Sequence, residues 1–216
     1  VTFSSPIAFG DEGFHVNLGR YIGLNKEYPV YVPLAETNIY KVGFNRPPLW
    51  NILEGSFYML FGSQESIVKF LVPFLGFLTG ISIYLIVKKF LNSNIGLVSS
   101  LLSVTVPSFV TYAVLFYAEI LVTFFLSLTI LLTILMYKTG QKKYLILVGI
   151  FAAFGILTKD TGYFILPFLF LTFLYELFKK RSLMGSLKRY VPIIALILLI
   201  LKQEIYKDIG TPTNKN

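Results

Sequence analysis

A handful of ionisable side chains and one Pro-Pro break carry the chemistry available to this sequence. Asp11 and Glu12 are adjacent carboxylates. One of such a pair can serve as general base toward an acceptor hydroxyl, while its neighbour holds an acceptor, a cation or a basic side chain. Two solvated loop acids would read the same way. His15 is the only histidine and follows Asp11 by four residues, one helical turn if the segment is helical. With no cysteine in the chain, one His and two carboxylates assign no metal ligand set, and a divalent cation is the one cofactor the pattern leaves open. A hydrogen-bonding or interfacial histidine fits the position at least as well.

Arg46 precedes Pro47-Pro48-Leu49. Proline restricts its own backbone and that of the residue before it, so Arg46 is pushed toward an extended conformation. A fixed guanidinium fork suits phosphate oxygens and stays charged at any relevant pH. An arginine anchoring an interfacial helix to lipid headgroups would look identical. Glu119 interrupts a stretch from Ile95 to Tyr137 that otherwise holds no charge. It is a site candidate, or the polar residue that any loop between two spans requires. Lys159-Asp160 is either a self-neutralising pair at a helix end or a lysine held ready for a phosphate. Tyr21, Tyr28, Tyr31, Tyr40 and Trp50 could stack on sugar faces or form an interfacial aromatic belt.

The elements that must position these groups are membrane helices. The chain has 216 residues, 55% hydrophobic and 14% charged, against about 25% charged in ordinary soluble domains. Its apolar residues come in blocks. Ile95–Ala118 and Ile120–Tyr137 run 24 and 18 residues without a charge, and about 18 suffice to cross the hydrocarbon core. Spans are expected at 67–87, 95–117, 120–137, 144–158, 161–178 and 190–201, the last being short. The expectation is an all-α, polytopic membrane protein with about six transmembrane helices. Residues 1–66 read as an external first loop with juxtamembrane helices, 67–201 as the transmembrane bundle, and 202–216 as a polar tail or loop. Leu49 to Gly62 reads as an amphipathic helix lying along the interface.

The net charge of +8 does not point to nucleic acid. Ten basic residues (Lys88, Lys89, Lys138, Lys142, Lys143, Lys179, Lys180, Arg181, Lys188 and Arg189) lie in alternate loops with only Glu176 as acidic company. The positive-inside rule places those loops in the cytoplasm. Every candidate residue above then falls on the external side.

The ordered set D-E-G-F-H, R-P-P-L-W, Y-A-E-I-L-V-T-F-F and G-I-L-T-K-D resembles the protein mannosyltransferase family and its bacterial relatives that transfer aminoarabinose to lipid A, over roughly residues 10–178. These are GT-C-fold glycosyltransferases. The resemblance implies inverting transfer of a sugar from a polyprenyl (dolichyl or undecaprenyl) phosphate donor to a protein or lipid/glycan acceptor at the external membrane face. Its partners would be the lipid-linked donor, the acceptor and membrane lipids. By position, Asp11 matches the catalytic acid of the first loop and Glu12 its partner. Arg46 matches the basic residue before Pro-Pro-Leu that contacts carrier phosphate, and Lys159 matches the lysine of G-x-L-T-K. His15 and Glu119 are further site candidates. Two positions depart from the lipid A relatives: Phe14 stands where they often carry Arg, and Asn45 where they carry an acid. Both departures bear on whether the lipid A acceptor carries over to this chain. Family members have a span before the Asp-Glu loop and several beyond this length, so the chain reads as part of a longer protein, in the plasma membrane of a prokaryote rather than the endoplasmic reticulum.

Two other classes stay open on sequence alone: a small-solute transporter, whose Pro- and Gly-broken helices would place Glu119 and Lys159 near a pathway, and a non-catalytic membrane scaffold. The charge pattern makes a direct prediction about topology. Cysteines introduced at Ser63 and Lys159 are expected to react with a membrane-impermeant maleimide from outside, and one at Gly140 only from the cytoplasm. Outside labelling at Gly140 would invert the topology.

Overall fold

The computed structural model describes residues 11–28, 31–33, 41–43, 47–62, 64–180 and 183–209. Two juxtamembrane helices come first, α1 (Asp11–Asn25) and α2 (Leu49–Phe61). Between them β1 (Tyr31–Pro33) and β2 (Lys41–Gly43) form a short antiparallel pair with Val32 opposite Val42. The bundle follows as α3 (Glu65–Phe90), α4 (Ser93–Thr105), α5 (Pro107–Tyr112), α6 (Glu119–Thr139), α7 (Lys142–Thr158), a 3-10 turn (Asp160–Phe164), α8 (Ile165–Lys180) and α9 (Leu183–Ile209).

Local chemistry explains most of the boundaries. Pro47-Pro48 cannot continue a preceding helix, and α2 starts directly after them with Ile52 N–H donating to the Pro48 carbonyl (3.0 Å). Asn92 caps α4, its side-chain oxygen accepting from Ile95 N–H at 2.9 Å.

The span expected at 95–117 is corrected. Val106 is forced out of the helical region by the proline after it (φ −58°, ψ 130°), and the segment splits into α4 and α5. The break leaves an apolar groove of about 680 Å³ between α3, α4 and α5, lined by Gly76, Gly80, Leu97, Val104 and Phe109 among others. The short run at 190–201 is also corrected: α9 is a 27-residue helix that passes the expected end of the bundle at 201. Arg189 enters its first turns because Glu176 on α8 takes its charge, with Nη1 donating to Oε1 at 2.9 Å. By length and apolarity four described segments can cross a membrane: Val68–Phe90, Glu119–Thr139, Asp160–Lys179 and Met184–Lys202. The remaining two expected spans are the broken α4–α5 and the 17-residue α7. At 13 residues, α2 is too short to span, as its interfacial reading requires.

Inside the bundle α6 packs on both α3 and α7, and α7 on α9. Lipid tails are as apolar as leucine, so helices in a bilayer associate through close packing at small residues. Gly149, Ala152 and Ala153 of α7 are buried, with Gly149 against Leu196 and the Ile193 carbonyl of α9. The exposed side of the bundle carries Phe70, Phe74, Phe77, Leu101, Phe170, Leu171, Leu198 and Leu199, a surface matched to hydrocarbon.

The juxtamembrane layer is built on a tighter contact. Proceeding along both helices, His15 meets Asn51, Gly19 meets Glu54, and Gly23 meets Tyr58. Contacts in the same order along both helices mean that α1 and α2 run parallel. A Cβ at Gly23 would come within 2.5 Å of the Tyr58 Cβ and 2.9 Å of the Gly55 carbonyl oxygen, so glycine is what lets the two backbones approach. Beneath them Val16, Trp50, Val68, Val72, Phe116, Ile120 and Leu121 form one buried cluster joining α1 and α2 to α3 and α6.

That close packing encloses Glu54. Its side chain is 0% exposed and neither carboxyl oxygen is hydrogen-bonded. Burial pushes its pKa well above the ordinary carboxylate range; the Trp50 indole N–H, one turn earlier, works in the opposite direction but falls short of a hydrogen bond. The folded state therefore holds this proton more tightly than the unfolded chain. Its contribution to stability is complete below the usual carboxylate pKa of about 4.3 and declines as pH rises toward the folded value. Thermal unfolding of the purified protein, followed between pH 4.5 and 8, should show a pH-dependent loss that Glu54→Gln flattens. An unchanged slope in the Gln variant would mean that Glu54 is not the group concerned.

Candidate functional site

Glu12 sits in the first turn of α1, and its carboxylate points inward at 4% exposure. Oε1 accepts from the backbone N–H of Phe116 at 3.2 Å, in the loop between α5 and α6. Sequence reasoning gave Glu12 the task of holding an acceptor, a cation or a base; what the described contact does is tie the start of α1 to the start of α6. The same loop meets α2 through Trp50, whose ring centroid lies 5.2 Å from that of Phe116. Trp50 is 0% exposed, which corrects its reading as a sugar-stacking platform. Its size fills the junction of three elements instead. Tyr21 remains exposed and Tyr28 half-buried, while the side chains of Tyr31 and Tyr40 lie outside the described residues.

His15, one turn along α1, is buried, and its Nδ1 lies 2.8 Å from the side-chain oxygen of Asn51. An amide oxygen only accepts, so with the amide in this orientation Nδ1 carries the proton. This is the hydrogen-bonding alternative for His15. Among the described residues no three His, Asp or Glu side chains converge to hold a metal ion.

Glu119 and Lys159 come from opposite ends of two adjacent helices. Glu119 opens α6, where the helix dipole favours a negative charge. Lys159 ends α7 in an extended conformation (φ −163°, ψ 155°). The 3-10 turn after it folds back because Gly162 lies against the Gly155 carbonyl, a position without room for a side chain, and Gly162 N–H donates to the Lys159 carbonyl at 2.8 Å. The Lys159 ammonium pairs with Glu119 Oε1, the two side chains being 39% and 30% exposed. Asp160, next in sequence, is exposed. The lysine therefore finds its carboxylate 40 residues away and not beside it.

These contacts gather the start of α1, the start of α2, the 113–118 loop and the Glu119–Lys159 pair at one end of the bundle. The lysines gather at the other, where Lys138 Nζ donates to the Lys89 carbonyl. Asp11 begins α1 but its side chain lies outside the described residues, as does all of Arg46. Parallel packing of α1 on α2 places the starts of these two helices at the same end. Asn51 and Glu54 are the site neighbours that sequence reasoning did not single out. Their signal was the recurrence of Trp50, Asn51, Glu54 and Tyr58 on one face of a short helix.

Residues 45–205 match the family described as dolichyl-phosphate-mannose-protein mannosyltransferase. That match begins at the Arg-Pro-Pro motif and continues past the last motif, leaving Asp11-Glu12 upstream of it. A protein of Aquifex aeolicus (strain VF5) described as uncharacterized is 28% identical over 161 residues, covering 74% of this chain and 32% of its own length. The crystal structure of ArnT from Cupriavidus metallidurans in the apo state superposes with a TM-score of 0.75 at 19% identity, covering 95% of this chain and 38% of that one. At that identity the likeness establishes the fold, which is the GT-C membrane architecture expected from the motifs. The chain spans about a third of the length of these relatives. With three-quarters of its residues inside the family match and its apolar helices packed in that fold, this multi-pass membrane chain belongs to the dolichyl-phosphate-mannose-protein mannosyltransferase family.

Proposed function

We propose that this chain is part of a glycosyltransferase that moves a sugar, with inversion, from a polyprenyl phosphate donor to a protein or lipid/glycan acceptor at the external face of a prokaryotic plasma membrane. The observation that carries the reading is the parallel packing of α1 on α2. It brings the first turn of α1, with Glu12, and the start of α2, directly after Pro47-Pro48, to the end of the bundle that also holds Glu119 and Lys159. A lipid-phosphate donor requires this division: acids and cations at headgroup level, apolar helices below. The groove between α3, α4 and α5 supports a lodging for the isoprenoid chain. The lysine-rich opposite end supports a cytoplasmic placement there.

The chemistry assigns one task to each group. The Asp11 carboxylate takes the proton of the acceptor hydroxyl. The acceptor oxygen attacks the anomeric carbon, the bond from that carbon to the phosphate oxygen breaks, and its electron pair leaves with the polyprenyl phosphate. Arg46 binds the phosphate through its fork, and Lys159 adds a second cation as charge develops on the leaving oxygen. Glu12, fixed to Phe116, holds Asp11 in place and does not itself react.

Asp11→Asn in the full-length protein should lower turnover by about 10²–10⁴-fold while donor binding is retained. Turnover near wild type would remove Asp11 from the mechanism. Arg46→Ala should weaken binding of the lipid-phosphate donor, with only partial recovery in Arg46→Lys because the fork is lost. Binding that is equal in all three proteins would separate Arg46 from the phosphate.

A further inference from the structure

The assigned donor ligand Lys159 is not free in this structure; Glu119 already holds it. We infer that Glu119 is an internal competitor for the donor phosphate: Lys159 exchanges the Glu119 carboxylate for the phosphate as the glycosidic bond breaks, and returns to Glu119 when the lipid product leaves. The inference rests on the reading of the site given above and concerns its regulation.

Three features make the exchange feasible. The first is that only side chains need to move. The Lys159 backbone is pinned by its hydrogen bond to Gly162 N–H and by the close seat of Gly162 on Gly155, while Glu119 is fixed in the first turn of α6. The second is exposure. Both side chains are about a third open to solvent, so the pair is the weak, exchangeable kind and not a buried lock. The contrast within the molecule is Glu176–Arg189, whose carboxylate is 1% exposed. The third is that Glu119 tolerates release, since its charge stays next to the amides of the α6 N-terminus.

Charge balance then gives the exchange a direction. A polyprenyl-phosphate sugar is a phosphodiester with one negative charge, comparable to the carboxylate. The departing polyprenyl phosphate is a monoester bearing about −1.5 to −2. The lysine is shared between similar anions in the ground state and favours the phosphate as its second charge develops. Such an interaction, stronger in the transition state than before it, accelerates the chemical step. A cation left unopposed would instead retain the product, and Glu119 offers the alternative partner that frees it.

The test is binding of undecaprenyl phosphate to the full-length protein in nanodiscs, for wild type, Glu119→Gln, Lys159→Gln and the double variant. Glu119→Gln should tighten binding about 1.5- to 5-fold, within the range of an exposed pair, and the gain should vanish in the Lys159→Gln background. A gain of equal size in that background would show only the loss of a nearby negative charge and would overturn the exchange. Unchanged or weaker binding in Glu119→Gln alone would overturn it as well, leaving the transferase reading intact. Absence of binding by wild type would instead sink the transferase reading and the exchange together.

Discussion

The contact on which the rest depends is the approach of α1 to α2 through Gly19, Gly23 and Gly55. Side chains at these positions would collide with Glu54, Tyr58 and Ile22. Because the two helices touch almost backbone to backbone, their relative register is fixed, and it is parallel. A parallel pair needs a long connection, which residues 26–48 supply, and it returns the second helix to the starting level of the first. That return brings the start of α2 to the same end of the bundle as the start of α1. An antiparallel pair joined by a short loop would have put them at opposite ends.

The same packing has a cost that the protein carries at Glu54. A carboxyl with no hydrogen bond in a sealed interface is stable only in its neutral form. Nearby, Glu12 and His15 escape that penalty because each has a fixed partner, the Phe116 amide and the Asn51 side chain. The juxtamembrane layer is therefore held by specific polar contacts and glycine seats. The helices below it rely on small-residue packing such as Gly149 on α9. This difference suits their surroundings: water is the competitor at the interface, lipid in the bundle.

The two ends of the bundle handle charge differently. At the basic end Glu176 takes up Arg189 deep within the α8–α9 junction, and Tyr137 OH, which also meets Tyr190 OH, donates to the Thr172 carbonyl at 2.8 Å. Those groups serve assembly. At the other end the Glu119–Lys159 pair is about a third open and formed between helix termini, where side chains can be re-partnered without moving the backbone.

The sequence alone determined that the chain crosses a membrane several times, where α3, α6 and α8 lie, which loops are basic, and which family it resembles. These are local properties: run length, charge and proline steric limits act within a few residues. The sequence also held the cause of the break at Val106, since Pro107 was visible, but apolar length concealed it. Only the tertiary structure decided which groups meet. Glu12 reaches Phe116 across 104 residues, Lys159 chooses Glu119 over the adjacent Asp160, and Trp50 turns into the core. Each outcome depends on the register and handedness with which helices pack, and that is set by the summed fit of many side chains, which no single segment encodes.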